Sequence, residues 1–151
     1  MTVTADQLTV KIFADGADRA GMLKAAGNPL VKGFTTNPTL MRRAGIAHYE
    51  AFAREILRAI PDRPISFEVF SDDFDEMYAQ SLAIAEWGPN VYVKIPISDT
   101  KGQSAIPLLR RLARAGVQIN ATAVLTLAQI QAASDALAEA APCAISVSWM
   151  R

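Results

Sequence analysis

Cysteine and histidine are nearly missing from this chain: its 151 residues include one of each, Cys143 and His48. A single cysteine excludes an intrachain disulfide and fits a reducing compartment. One histidine and one cysteine without ligand spacing give no basis for a metal site, and no cofactor is expected. Charge of either sign is not in excess, with Lys plus Arg and Asp plus Glu both at 15. A nucleic-acid or anionic-membrane partner normally shows as a basic surplus, so neither is expected, whereas a local cluster for a phosphorylated metabolite stays compatible. No apolar run approaches the roughly 18 residues of a membrane span. The opening MTVTADQLTV lacks the basic start and apolar stretch of a signal peptide. These absences lead to the expectation of a cytoplasmic protein. Glycine patterns for nucleotides are missing as well. The first strand-like run is followed by Asp15-Gly16-Ala17-Asp18, with one glycine, and no GxxxxGK[ST] occurs.

Apolar residues are plentiful, at 51%, enough for a sizeable core. Runs rich in β-branched and aromatic residues recur at 8–13, 30–34, 65–70, 91–97, 117–119 and 144–147. Such runs read as strands of a parallel sheet buried on both faces. Helical patterns lie between them. In HYEAFAREILRAI, Tyr49, Phe52, Ile56 and Ile60 form one stripe. Asp72 or Asp73 is placed to cap the next helix, which Gly88-Pro89 stops. AIPLLRRLARAG ends at Gly116, and LAQIQAASDALAEA fills the interval before the sixth run. Regular alternation of this kind leaves an open doubly wound sheet or a (β/α)₈ barrel. The residues span about six βα units at a pitch of about 25 residues, and eight would need roughly 200. The expected fold is therefore α/β, a TIM (β/α)₈-type barrel that is incomplete, with residues 1–151 as one domain lacking the last two units.

Polar residues gather where the strand runs end, the place where loops of parallel barrels converge on active sites. Run one leads to Asp15, run two to Thr35, Thr36 and Asn37, and run three carries Glu68. Run four carries Lys94, run five reaches Asn120 and Thr122, and run six has Ser146. Lys94 stands out, in VYVKIPI, with apolar neighbours on both sides. Only about one free lysine in 2,500 is neutral at pH 7, and desolvating a lysine raises that share, as an amine nucleophile requires. The bland alternatives stay open for each residue. Lys94 could snorkel to water or pair with Glu68, and Glu68 could be an acid/base or that ion-pair partner. Asp15, Asn37, Asn120 and Thr122 could be helix caps. His48 reads as a surface residue and Cys143 as a small buried hydrophobe.

Five pieces, IFADGAD, GFTTNPTL, ISFEVF, VYVKIPI and NATAV, with Gln129 on the following helix, occur in one order from about residue 10 onward. In this the chain resembles the transaldolase family, especially its short members related to fructose-6-phosphate aldolase. The resemblance implies a barrel enzyme that forms a Schiff base on Lys94 and transfers a dihydroxyacetone unit between sugar phosphates. By the same resemblance, Asp15 takes the proton of the C4 hydroxyl, and Glu68, through a water held by Thr122, moves protons during imine formation. Asn37 and Asn120 would hydrogen-bond substrate or lysine, with Thr36 and Ser146 orienting the bound unit. Glutamate at position 68 resembles the transaldolase branch, where the aldolase branch has glutamine. Family members continue the sixth strand as S-x-F-x-G-R, whose arginine binds the substrate phosphate. Here Ser146 and Arg151 keep that spacing, while Ser148 and Met150 replace the aromatic and glycine positions.

Three other functions stay open: aldol cleavage of the fructose-6-phosphate type, a phosphosugar-binding barrel without Schiff-base chemistry, and a truncated, non-catalytic barrel acting as an assembly or binding module. An incomplete parallel sheet leaves two unpaired edges, which leads to the expectation of a homo-oligomer.

Overall fold

The computed structural model describes residues 4, 7, 9–138 and 140–147. Six strands alternate with helices: β1 (Ile12–Asp15), β2 (Val31–Thr35), β3 (Ile65–Glu68), β4 (Val91–Pro96), β5 (Ile119–Val124) and β6 (Ala144–Val147). The helices are α1 (Arg19–Ala26), α2 (Pro38–Arg43), α3 (Tyr49–Ala59), α4 (Phe74–Ala85), α5 (Ile106–Arg114) and α6 (Leu127–Leu137). All neighbouring strands are parallel and follow chain order, β1 to β6, curling into part of a TIM-type barrel. Among the described residues β1 and β6 are the sheet's edges, and their outer backbone groups have no strand partner. No described helix is long and apolar enough to cross a membrane.

Side-chain alternation divides the sheet into two faces. Ile65 and Phe67 of β3, Val93 and Ile95 of β4, and Ile119 and Ala121 of β5 are fully buried. They join Leu108, Leu109 and Leu112 of α5 and Ile56 of α3 in one apolar core between sheet and helices. The opposite, inner face carries Ser66, Glu68, Tyr92, Lys94, Asn120 and Thr122 at the intervening positions. The apolar half of each strand docks the helices, and the polar half is left for the barrel interior.

The helices start on local caps. Asp18, not Asp15, caps α1, accepting from Gly21 N at 2.7 Å. Asn37 caps α2, accepting from Leu40 N with Pro38 in the first helical turn, where its missing N–H is harmless. Asp73 caps α4 through Asp75 N and Glu76 N, while Asp72 instead accepts from Thr100. Thr126 and Gln129 form a capping box at α6.

At Gly33 of β2 the Phe13 ring and Pro64 close over the space a side chain would need. A Cβ there would lie 2.7 Å from the Phe13 ring and 2.9 Å from Pro64 Cγ. Overpacking costs about 1–3 kcal/mol, against about 0.4–1 kcal/mol gained by stiffening the unfolded chain. Gly33→Ala is therefore expected to lower the midpoint of urea unfolding. An unchanged or raised midpoint would show that Phe13 and Pro64 do not close on this position.

Candidate active site

The β3–β4 ladder pairs Glu68 with Lys94 at the same level, and both side chains project from the inner face. Lys94 Nζ stands 3.4 Å from Glu68 Oε2, with the two side chains 12% and 24% exposed. They are largely withdrawn from water yet still reachable. Burial pushes the Glu68 carboxyl above its ordinary 4.5; the nearby Lys94 ammonium opposes that rise and the Asp15 carboxylate adds to it.

Lys94 opens into a cavity of about 730 Å³ that Asp15, Thr35, Tyr92, Thr122 and Ser146 also line. Asp15 ends β1, and its Oδ1 accepts from Thr35 Oγ1 at 2.8 Å. That bond ties β1 to β2 and holds the carboxylate at the cavity's open rim. Thr122 reaches the same cavity from β5, next to an irregularity in the β5–β6 ladder between Ala121 and Val124. Ala123, at φ 57°, takes the left-handed conformation at that irregularity. Strand alternation already turns Thr122 to the interior, and the β-bulge after it returns Val124 to the core, a position that unbroken alternation would have turned inward.

Asn120 is fully buried, with a bond at each of its amide atoms. Its Nδ2 donates to Ser66 Oγ at 2.9 Å, and its Oδ1 accepts from Ser146 Oγ at 2.7 Å. The three residues form a polar tie from β3 across to β6. Asn37 is occupied as the α2 cap and borders a second cavity, of about 760 Å³, that Glu68, Tyr49 and Arg42 also line. Thr36 has no exposed surface, and its hydroxyl finds no partner among the described residues. Its neighbour Thr35 lines the Lys94 cavity instead. Arg151 lies outside the described residues. The structure thus brings Lys94, Glu68, Asp15, Thr122 and Ser146 to one face of the sheet and leaves Asn37 and Thr36 beside it.

Sequence reasoning passed over Ser66 and did not carry Thr35 into the site. Ser66 sits two residues before Glu68, so the period of a strand already puts both on one face. For the Thr35-Thr36 pair, alternation says that one hydroxyl faces inward but not which. Among the described residues no group of three or more His, Cys, Asp or Glu side chains is placed to hold a metal ion. His48 is exposed at the start of α3, and Cys143 is half-buried, its thiol pushed up by burial.

The electrostatics give a prediction. Lys94→Met removes the charge that holds Glu68 down and leaves the desolvation in place, so Glu68 should titrate at higher pH than in wild type. With a folded-state pKa above the unfolded value of 4.5, the stability Glu68 contributes is complete below that value and is lost as pH rises through the folded value. In the variant that loss should extend further upward. Carbon NMR of labelled glutamate carboxyls, with chemical unfolding at several pH values, reads both effects. A Glu68 titration that stays put or moves down would contradict the coupling.

Comparison with known proteins points the same way as the geometry. Residues 12–148 match the family model described as Transaldolase/Fructose-6-phosphate aldolase. A probable transaldolase of Dehalococcoides mccartyi is 36% identical over 132 residues, which are 87% of this chain and 58% of that protein. One from Streptococcus agalactiae is 36% identical over 120 residues, 80% of this chain and 53% of its own length. One from Roseiflexus castenholzii is 37% identical over 127 residues, 84% and 56%. The chain thus spans between half and three-fifths of the length of these relatives. Partial barrel, inner-face lysine and family match agree: the chain belongs to the transaldolase/fructose-6-phosphate aldolase family.

Proposed function

We propose that this chain carries the Schiff-base chemistry of a transaldolase, moving a dihydroxyacetone unit from a ketose phosphate to an aldose phosphate acceptor. The observation that carries the reading is the Lys94–Glu68 pair, 3.4 Å apart on the inner face. Asp15 borders the same cavity as Lys94, which supports a reading in which Lys94, its partner Glu68 and Asp15 act on one bound sugar.

In this reading Lys94, as the free amine, adds to the C2 carbonyl of the ketose. Loss of water gives an iminium ion, and Glu68, whose raised proton affinity suits the exchange, supplies and recovers the protons. Asp15 accepts the proton of the C4 hydroxyl as the C3–C4 bond breaks. The bond's electron pair flows into the iminium, leaving an enamine on Lys94 and a free aldose phosphate. Attack of the enamine on a second aldose runs the steps in reverse. Thr122 and Ser146 line the cavity and offer hydroxyls to the bound unit and to a bridging water. Thr36 and Asn37 support it from behind, by burial and by capping α2. Asn120 supports it through its bonds to Ser66 and Ser146. A phosphate partner for Arg151 belongs to the same reading.

Aldol cleavage of fructose 6-phosphate shares the first half of this sequence and differs in having no acceptor. Glu68 favours transfer by resemblance alone, glutamate at this position being similar to the transaldolase branch and glutamine to the aldolase branch. Two variants test the proposal. Lys94→Met should abolish donor-dependent aldose release while circular dichroism stays close to wild type, since methionine keeps the length without the amine. Glu68→Gln should still form the imine but transfer more slowly by about 10²–10⁴-fold, the usual contribution of a positioned acid/base. Aldose release that persists in Lys94→Met would overturn the assignment. Wild-type cleavage unaffected by acceptor would favour the aldolase.

A further inference from the structure

In a parallel strand the N–H and C=O of one residue point to one edge, and those of the next residue to the other. In β3, Ile65 N donates to Asn90 O and Val69 N to Lys94 O, so the odd residues serve the β4 edge. Ser66 O accepts from Thr36 N, so the even residues serve the β2 edge. Glu68 therefore turns its backbone groups toward β2. That strand ends at Thr35, and after Asn37 the chain enters α2. The next N–H that the alternation of Phe34 and Thr36 would bring to β3 belongs to residue 38, a proline, which has none. Glu68, alone among the β3 residues, reaches its β2-facing edge after the partner strand has gone.

Tyr49 fills the gap. Its phenol oxygen accepts from Glu68 N at 3.2 Å and donates to Glu68 O at 3.4 Å. A hydroxyl is the one uncharged side-chain group that meets an N–H and a C=O with a single atom. The ring is wedged edge-on against Phe67 at 6.1 Å and Phe70 at 4.7 Å, and tilted against Trp87 at 5.4 Å. Burial pushes the phenol's pKa above the ordinary tyrosine range, so the proton it donates stays in place.

We infer that Tyr49 is a positioning residue for the proton-transfer step: its hydroxyl stands in for the missing strand and fixes the Glu68 backbone, so that the carboxyl is held against Lys94 at the edge of the second cavity. The inference rests on Glu68 being the proton carrier. Glu68 lines that second cavity with Asn37 and Arg42. Released from Tyr49, the end of β3 can swing the carboxyl away from Lys94 and further into that space.

Tyr49→Phe keeps the ring and removes only the oxygen. Hydrogen exchange reads the clamp itself, without any need for activity. The Glu68 amide should exchange about tenfold faster in the variant, as loss of one such bond implies, with the Val93 amide of β4 unchanged. Transfer from fructose 6-phosphate to an aldose phosphate reads the consequence. The kcat should fall about tenfold or more, since small misplacements of a reacting group are costly, while KM stays within about twofold. In a Glu68→Gln background the same substitution should change kcat little, because no proton carrier remains to be positioned. Equal losses in both backgrounds would mean that Tyr49 serves packing alone, and unchanged Glu68 exchange would mean that the hydroxyl holds nothing; either overturns the inference. If wild type shows no transfer while Glu68 exchange still accelerates, the clamp stands. The failure then lies with the catalytic reading, and the claimed role in proton transfer falls with it.

Discussion

Two side chains on adjacent parallel strands meet only when the ladder sets them at one level and alternation turns both to one face. The β3–β4 register does this for Glu68 and Lys94. A slip by one residue would turn Lys94 to the helix-packed face, where Val93 and Ile95 have no exposed surface. An ammonium there would have neither water nor carboxylate, so the apolar residues flanking Lys94 do two things at once. They fill the core, and by refusing any other register they aim the amine at the interior. The rest of the candidate site is arranged around that alignment.

Polar groups on the inner face can be this buried because they satisfy one another. Ser146, Asn120 and Ser66 pass hydrogen bonds across the strands, and Asp15 is tied to Thr35. Alternation along β5 brings Thr122 to the cavity, and the bulge at Ala123 then returns Val124 to the core. Tyr49 completes the frame from the helix layer, bonding the end of β3 where no strand reaches. The Asp15–Thr35 bond and the Tyr49 contact hold the C-terminal ends of strands, where a barrel of this kind keeps its reactive groups.

Much of this was legible in the residues. The runs at 30–34, 91–97 and 144–147 lie close to β2, β4 and β6, since β-branched residues flanked by turns leave little choice. The stripe in HYEAFAREILRAI is α3. Strand β5 extends to Val124, beyond the apolar run at 117–119, because its inner face is polar and breaks the hydrophobic signal. Strand β1 begins at Ile12 and ends at Asp15, later than the run at 8–13; pairing with β2 sets its limits, and no local pattern reports that. The site residues were visible as chemistry-bearing side chains at strand ends. Their partners were less so. That Asp18 rather than Asp15 caps α1, and that Thr35 rather than Thr36 lines the cavity, depends on register and on one-residue offsets that composition does not encode.

In the proposed reaction Lys94 forms the imine. Borohydride reduction in the presence of fructose 6-phosphate, followed by peptide mass spectrometry, tests it most directly, because reduction freezes an iminium ion as a stable amine. A donor-dependent mass increase is expected on the peptide that holds Lys94, and none on Lys11, Lys24, Lys32 or Lys101. No adduct at all, or an adduct on one of those four lysines, would contradict this role of Lys94.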